Sequence, residues 1–307
     1  MSNNKHKLIG YRDLFSQSYK EAVKHWRLFF AFIATYLVTF IVTGGILALL
    51  FFVVFGLLFT SSPIIILFGM IGLLILYILM LGAVSISVFA YMGAVVDRNE
   101  MHGYWAIYKK SWVMILSIIW MAILTQFAYF GALLFLIIPG IILFVYILFA
   151  PVVLYKEKQK GIRSLLRSTE LVSGHWWGTL GRLFSVGLVS GLPVWLVMLP
   201  LFSSFEPGVT PDWTVLSVTM LLMLVLSFVV MHWVLHAIVI LYESLAEIKP
   251  AAEFEPENYS PLKWFYRALA VFGLMFFVAI QILAPELEPE GTYNSDQPDV
   301  FEEFGAY

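Results

Sequence analysis

The sequence predicts an all-α, polytopic integral membrane protein with about seven transmembrane helices and cytoplasmic amphipathic surface helices. The first observation is composition: 61% of the 307 residues are hydrophobic, 12% are charged, and the mean hydropathy is +0.89. Soluble domains carry about 25% charged residues, so this chain has too few polar side chains to cover a water-soluble body. The second observation is a series of long uncharged runs, and the third is the placement of Lys and Arg between them.

The apolar runs define the predicted crossings, because about 20 apolar residues suffice to span the hydrocarbon core of a bilayer. Six runs form a membrane domain over residues 28–245, arranged as three hairpins, and an extra transmembrane helix covers 262–284. The first two runs are so long that their helices must tilt, bend or protrude. The predicted crossings are 28–59, 64–96, 112–137, 141–155, 176–201, 213–242 and 262–284.

Polar segments flank and separate these runs. Residues 1–27 form an N-terminal amphipathic segment, because apolar side chains recur near helical spacing within 11–27. Residues 246–261 are acidic and contain proline, which predicts a cytoplasmic linker. The tail 285–307 has seven acidic residues, three prolines and no base, and this composition favours disorder.

The distribution of positive charge predicts the orientation. All eighteen Lys and Arg residues fall in segments that seven crossings would place on one side. Positive residues are retained in the cytoplasm. We therefore expect a cytoplasmic N-terminus and an external, or periplasmic, acidic tail. The base-containing segments are 5–27, 98–110, 156–182, 249 and 263–267.

The most basic of these segments is a candidate lipid site. It follows the fourth predicted crossing and holds five bases within twelve residues. Each base near an anionic membrane surface contributes about 1 kcal/mol, and guanidinium groups bind phosphate in a bidentate manner. The candidate lipid-binding residues are Lys156, Lys158, Lys160, Arg163 and Arg167.

A plainer interpretation of the same segment is a salt-bridged helix packed on the bundle, and we favour it. Arg167 and Glu170 can pair at i,i+3 spacing. Gly161 and Gly174 would bound the helix, and Trp176 would fix the entry of the next crossing at headgroup depth.

Small residues predict close contacts and turns. Pro139 and Gly140 predict a tight structural corner between the third and fourth crossings, because proline lacks an amide donor and glycine tolerates positive φ. Neighbouring helices could also approach closely at small residues on the second and fifth crossings: Gly82, Ser85, Gly93, Gly187 and Gly191. We favour packing within one chain over dimerisation for these residues.

A histidine pair on the sixth predicted crossing is a candidate metal site. His232 and His236 are four residues apart, and Glu243 follows on the same stripe. Two such imidazoles can share one metal ion. Trp233 stands where a metalloprotease would carry its general base, so proteolysis is disfavoured. We favour an interfacial structural role for the pair over metal or proton handling, and we expect no cofactor.

The central stretch resembles the membrane-domain family named after glycerophosphoryl diester phosphodiesterase and related uncharacterised bacterial inner-membrane families. Three features carry the resemblance: Ile138-Pro139-Gly140, Phe149-Ala150-Pro151, and the segment from Arg167 through Glu170 to Gly174 and Trp176. It covers about residues 11–245. The resemblance implies a multi-pass protein of the bacterial cytoplasmic membrane. The chain has no His-Arg-Gly stretch, so the phosphodiesterase activity is not implied.

The residues leave three functions open. The first is a non-catalytic membrane module that binds lipid, which could be anionic, or a partner protein. The second is a channel or facilitator for a small or amphiphilic solute, although mid-membrane charges, which transporters usually carry, are missing outside the helix ends. The third is an intramembrane metal-binding protein that uses the histidine pair. A protein partner or homo-oligomer is possible in each case, and no nucleic-acid partner is expected.

Overall fold

The fold is helical throughout the part of the chain that the structure, a computed structural model, describes: residues 7–58, 69, 71–72, 86–98, 104–135, 137–203 and 213–283. Within these ranges there is no strand, which confirms the all-α class. The helices are α1 (Tyr11–Lys24), α2 (Trp26–Leu58), α3 (Ile86–Val96), α4 (Tyr104–Val113), α5 (Ile115–Phe135), α6 (Ile137–Ile147), α7 (Ala150–Lys156), α8 (Ile162–Val172), α9 (Trp176–Ser203), α10 (Trp213–Ile248) and α11 (Ser260–Leu283).

Four of these helical stretches are long and apolar enough to cross a membrane, counting described residues only. A fifth results if Trp105–Val113 and Ile115–Ala128, which meet at a bend of 72°, form one span. This supports a membrane protein, whereas the count of seven stays a prediction. The run 64–96 is described mainly at its end, and the tail 285–307 lies outside the described residues. The four stretches are Trp26–Val53, Ile138–Lys156, Trp176–Leu199 and Trp213–Ile248.

The predicted corner at Pro139-Gly140 is wrong in its position. Both residues lie in the first turn of α6, which begins at Ile137, and α5 ends at Phe135. Proline is tolerated there because the first amides of a helix have no intrahelical acceptor. The structure therefore has no corner at these two residues.

The core of the protein lies around α7 and α8. Val152, Val153 and Leu154 of α7 have no exposed surface, and Leu165 and Leu171 of α8 are equally buried. The sequence leaves a lipid-facing surface helix and a salt-bridged helix packed on the bundle open for α8. The helix packs against α5, α6, α7, α10 and α11, which agrees with the second interpretation, the one that the sequence favours.

Contacts between distant segments bring the base-containing ends of the helices together. The Ile9 amide donates a hydrogen bond to Ser244 Oγ at 3.0 Å. Arg98 donates to Glu21 at 3.1 Å and to Glu243 at 2.9 Å. These five residues come from segments that the charge distribution assigns to one side. Their contacts show that these segments lie together in the structure.

Of the small residues predicted at close helix contacts, one glycine sits at such a contact and two do not, while Gly82 and Ser85 lie outside the described residues. A Cβ at Gly93 would lie 2.6 Å from a ring carbon of Tyr155, whose hydroxyl is 3.0 Å from that of Ser111. At Gly187 and Gly191, an added Cβ would meet no described atom within 4 Å. The prediction of close packing therefore fails for the α9 pair among the described residues.

We expect Gly93→Ala to destabilise the protein, because Tyr155 is buried and cannot yield to the added methyl group without disturbing Ser111. Overpacking of this kind costs about 1–3 kcal/mol. Gly187→Ala is the matched control, since alanine favours a helix by about 1 kcal/mol relative to glycine and has space there. Thermal unfolding in detergent measures both, and equal melting temperatures for the two variants would contradict the contact.

Candidate functional site

A fully buried arginine connects three parts of the chain. Arg167 in α8 has 0% exposed surface. Its Nε donates to both carboxylate oxygens of Glu157, at 2.9 and 3.1 Å. Its Nη1 donates to Glu170 at 2.7 Å, and its Nη2 donates to the Lys249 carbonyl at 2.7 Å. Every nitrogen of the guanidinium therefore has an acceptor. The i,i+3 pair with Glu170 confirms the prediction from spacing.

The local backbone explains how Glu157 and Arg167 meet. Glu157 follows the last residue of α7, and a short connection leads from it to α8, which packs against α7. Lys158 and Gly161 both have φ of +57° in this connection, a region that glycine enters freely and lysine rarely. The Tyr242 hydroxyl donates to Glu157 Oε1 at 2.7 Å, which adds α10 to the same cluster.

Hydrogen bonding compensates for the burial of the charge. Burial by itself lowers the pKa of Arg167, but its hydrogen bonds to Glu157 and Glu170 outweigh this effect and raise the pKa above its usual value. The guanidinium also lies over the Phe254 ring, with its carbon 5.6 Å from the centroid. The Arg167 guanidinium is thus fully engaged in protein contacts and is not accessible to a lipid phosphate. Its assignment as a lipid-binding residue is therefore not supported.

Lys249 caps the C-terminal end of α8. Its Nζ donates to the backbone carbonyls of Glu170 and Ser173, the latter at 2.6 Å. A cation at a helix C-terminus satisfies carbonyls that have no intrahelical partner. Burial lowers the pKa of Lys249, opposed by the charge of Glu170. Gly174 follows with φ of +79°, so the predicted bounds of this helix at Gly161 and Gly174 are confirmed.

The remaining four candidate bases, Lys156, Lys158, Lys160 and Arg163, are exposed. All but Lys156 line one groove of about 620 Å³ between the α7–α8 connection and α5. We call this the basic groove. Its α5 wall includes Leu116 and Trp120.

The charges in the basic groove are of one sign. In the described part of the chain, Lys158, Lys160 and Arg163 have no ion-pair partner, and no carboxylate lines the groove. Trp120 is 56% exposed, and a Cβ on Gly161 would lie 3.0 Å from its ring. Sequence reasoning missed Trp120 because it lies inside a predicted crossing. Its only signal was the preference of Trp for membrane interfaces.

The histidine pair makes structural contacts. His232 Nε2 donates to the Ala22 carbonyl at 2.9 Å, which leaves Nδ1 to accept from the Tyr91 hydroxyl. His236 Nδ1 donates to the His232 carbonyl at 2.9 Å. Glu243, the third predicted ligand, accepts from Arg98. No group of three metal-ligating residues is found among the described residues. These contacts favour the interfacial structural role.

We expect Arg167→Ala to lower the free energy of unfolding by about 3–5 kcal/mol, because the change leaves Glu157 buried without its partner. Arg163→Ala removes the same charge from an exposed position four residues earlier and should change stability by less than about 0.5 kcal/mol. Chemical unfolding in detergent compares the two. A loss of stability in Arg163→Ala equal to that in Arg167→Ala would show that charge, and not the buried network, is responsible.

Comparison with known proteins adds no family to this description. No family model matches the chain, and neither the curated proteins nor the solved structures give a match. The resemblance to the membrane domain of glycerophosphoryl diester phosphodiesterases stays a prediction.

Proposed function

We propose that this chain is a non-catalytic integral membrane protein that binds the phosphate of an anionic lipid headgroup in the basic groove. The observation that carries the proposal is the convergence of Lys158, Lys160 and Arg163 on one groove beside the exposed Trp120. Three cations that have no ion-pair partner among the described residues, in a groove without a carboxylate in its lining, favour an anion. Their position beside an apolar helix favours an anion that is attached to lipid.

The expected binding free energy depends on the number of bases in the groove. Each base near an anionic surface contributes about 1 kcal/mol at low screening, so three contribute about 3 kcal/mol. Arg163 adds geometric specificity, because its planar guanidinium can donate two hydrogen bonds to one phosphate. Lys158 and Lys160 contribute compact charges on flexible stems. Salt would weaken the attraction, since these side chains are exposed.

The α5 wall supplies a path for the acyl chains. Leu116, Ile119, Trp120 and Ile123 are exposed and recur at i, i+3, i+4 and i+7, so they form one stripe along the helix. Leu116 is 79% exposed. The basic groove would bind the phosphate of a phospholipid, and the apolar stripe that starts beside it would contact the acyl chains. Trp120 would lie at headgroup depth.

The proposal includes the location and orientation of the chain. We infer that it resides in the bacterial cytoplasmic membrane, with its N-terminus in the cytoplasm and residues 285–307 outside. Retention of positive residues in the cytoplasm supports this orientation. The contacts of Arg98 with Glu21 and Glu243 agree with it, because they join three segments that the distribution of positive charge assigns to the same side. The basic groove would then face the anionic inner leaflet.

We expect Lys158→Gln/Lys160→Gln to lower the affinity for phosphatidylglycerol by about tenfold or more, because two groove charges are worth about 2 kcal/mol. Native mass spectrometry of the full chain with added phosphatidylglycerol measures the bound fraction. Lys109→Gln/Lys156→Gln is the matched control, since it removes two exposed charges outside the groove. Equal retention of phosphatidylglycerol by the two double variants would reject the basic groove as the site.

A further inference from the structure

Two cavities lie where α8 meets α11. The first is a groove of about 350 Å³ whose lining includes Arg163, Glu257, Ser260 and Lys263. We call it the mixed-charge groove. The second is a cavity of about 540 Å³ whose lining includes Ile142, Leu143, Leu262, Phe265 and Leu269. We call it the apolar cavity.

We propose that these two cavities together hold a second lipid: a phospholipid whose headgroup carries a primary ammonium as well as a phosphate, such as phosphatidylethanolamine. The phosphate would contact Arg163 and Lys263, and the ammonium would contact Glu257. One acyl chain would fill the apolar cavity. The inference rests on the proposed lipid-binding function and adds a second site with a different headgroup class.

The two cavities are neighbours along both helices. Leu166 lines the mixed-charge groove and Thr169 lines the apolar cavity, and three residues advance a helix by about 4.5 Å. On α11, Lys263 lines the first and Leu262 the second. The Thr169 hydroxyl is 2.6 Å from that of Tyr266, which ties α8 to α11 beside the apolar cavity.

The apolar cavity extends away from the charges. On α11 its lining runs from Leu262 to Leu269, and on α6 it runs from Pro139 to Tyr146. Seven residues of helix cover about 10 Å. The mixed-charge groove lies at the Ser260 end of α11. A molecule that fills both spaces is therefore charged at one end and apolar along its length.

The sign and type of the charges select the headgroup. In the described part of the chain, Arg163, Lys263 and Glu257 have no ion-pair partner of their own. A phosphate alone would satisfy the two cations and leave the Glu257 carboxylate unmatched. A primary ammonium has three N–H donors for a carboxylate, whereas the quaternary ammonium of phosphatidylcholine has none. An ammonium and a phosphate in one headgroup match all three side chains.

The two grooves can be tested separately. Arg163 lines both, but Lys158 and Lys160 line the basic groove, and Lys263 and Glu257 line the mixed-charge groove. Lys158→Gln/Lys160→Gln should therefore leave the second lipid in place. This double variant therefore distinguishes a failure of the lipid site in the basic groove from a failure of the second lipid site.

The experiment is native mass spectrometry of the full chain in competition between phosphatidylethanolamine, phosphatidylcholine and phosphatidylglycerol with identical acyl chains. We expect about tenfold preference for phosphatidylethanolamine over phosphatidylcholine at one site, the value of a single charge-assisted hydrogen bond. Glu257→Gln should abolish this preference. Ile142→Trp fills the apolar cavity and should lower retention of all three lipids at that site. Ile141→Trp is the matched control, because Ile141 does not line this cavity.

Three results would overturn the inference. One is equal retention of phosphatidylethanolamine and phosphatidylcholine by the wild-type chain. Another is an unchanged preference in Glu257→Gln. The third is equal retention in Ile142→Trp and Ile141→Trp, which would show that the lipid lies on the outer surface of the bundle. If the preference for phosphatidylethanolamine were lost only in Lys158→Gln/Lys160→Gln, this lipid would be bound in the basic groove, and the second site would be rejected.

Discussion

The pairing of one buried cation constrains the centre of this protein. Arg167 has no exposed surface, and an unpaired charge in such a position would cost several kcal/mol. Its three acceptors come from the end of α7, from α8 itself and from the residue after α10. The guanidinium therefore joins these three parts through Glu157, Glu170 and the Lys249 carbonyl. A buried ion pair contributes little net stability but strongly disfavours structures in which it is broken.

This arrangement has a consequence for the exposed bases. The chain leaves α7 directly after Glu157, with positive φ at Lys158. The bases that follow, Lys158, Lys160 and Arg163, are exposed, and Gly161 lies against Trp120 of α5. The chemically different roles of Arg163 and Arg167 follow from this geometry. Four residues apart on one helix, the first is exposed between two grooves and the second is enclosed. We infer that the buried pair holds the lipid-binding bases in position.

Local features of the structure were predictable from sequence, and contacts between distant segments were not. Hydropathy predicted the long apolar helices, glycine placement predicted the bounds of α8, and spacing predicted the pair of Arg167 with Glu170. The Lys249 carbonyl is 82 residues from Arg167 in sequence, and no local pattern points to it. The same limit explains the missed Trp120. It also left two interpretations of α8 open, since an amphipathic helix has the same pattern on a membrane surface as inside a bundle. The corner before α6 was misplaced because proline fits both a turn and a first helical turn.

The most direct test is an electron cryomicroscopy reconstruction of the full chain in lipid nanodiscs that contain phosphatidylglycerol and phosphatidylethanolamine. The account predicts headgroup density in contact with Lys158 and Lys160 in the basic groove, while Arg167 remains between Glu157 and Glu170. Headgroup density on Arg167, with Glu157 turned away from it, would contradict the account. So would a well-resolved basic groove without lipid.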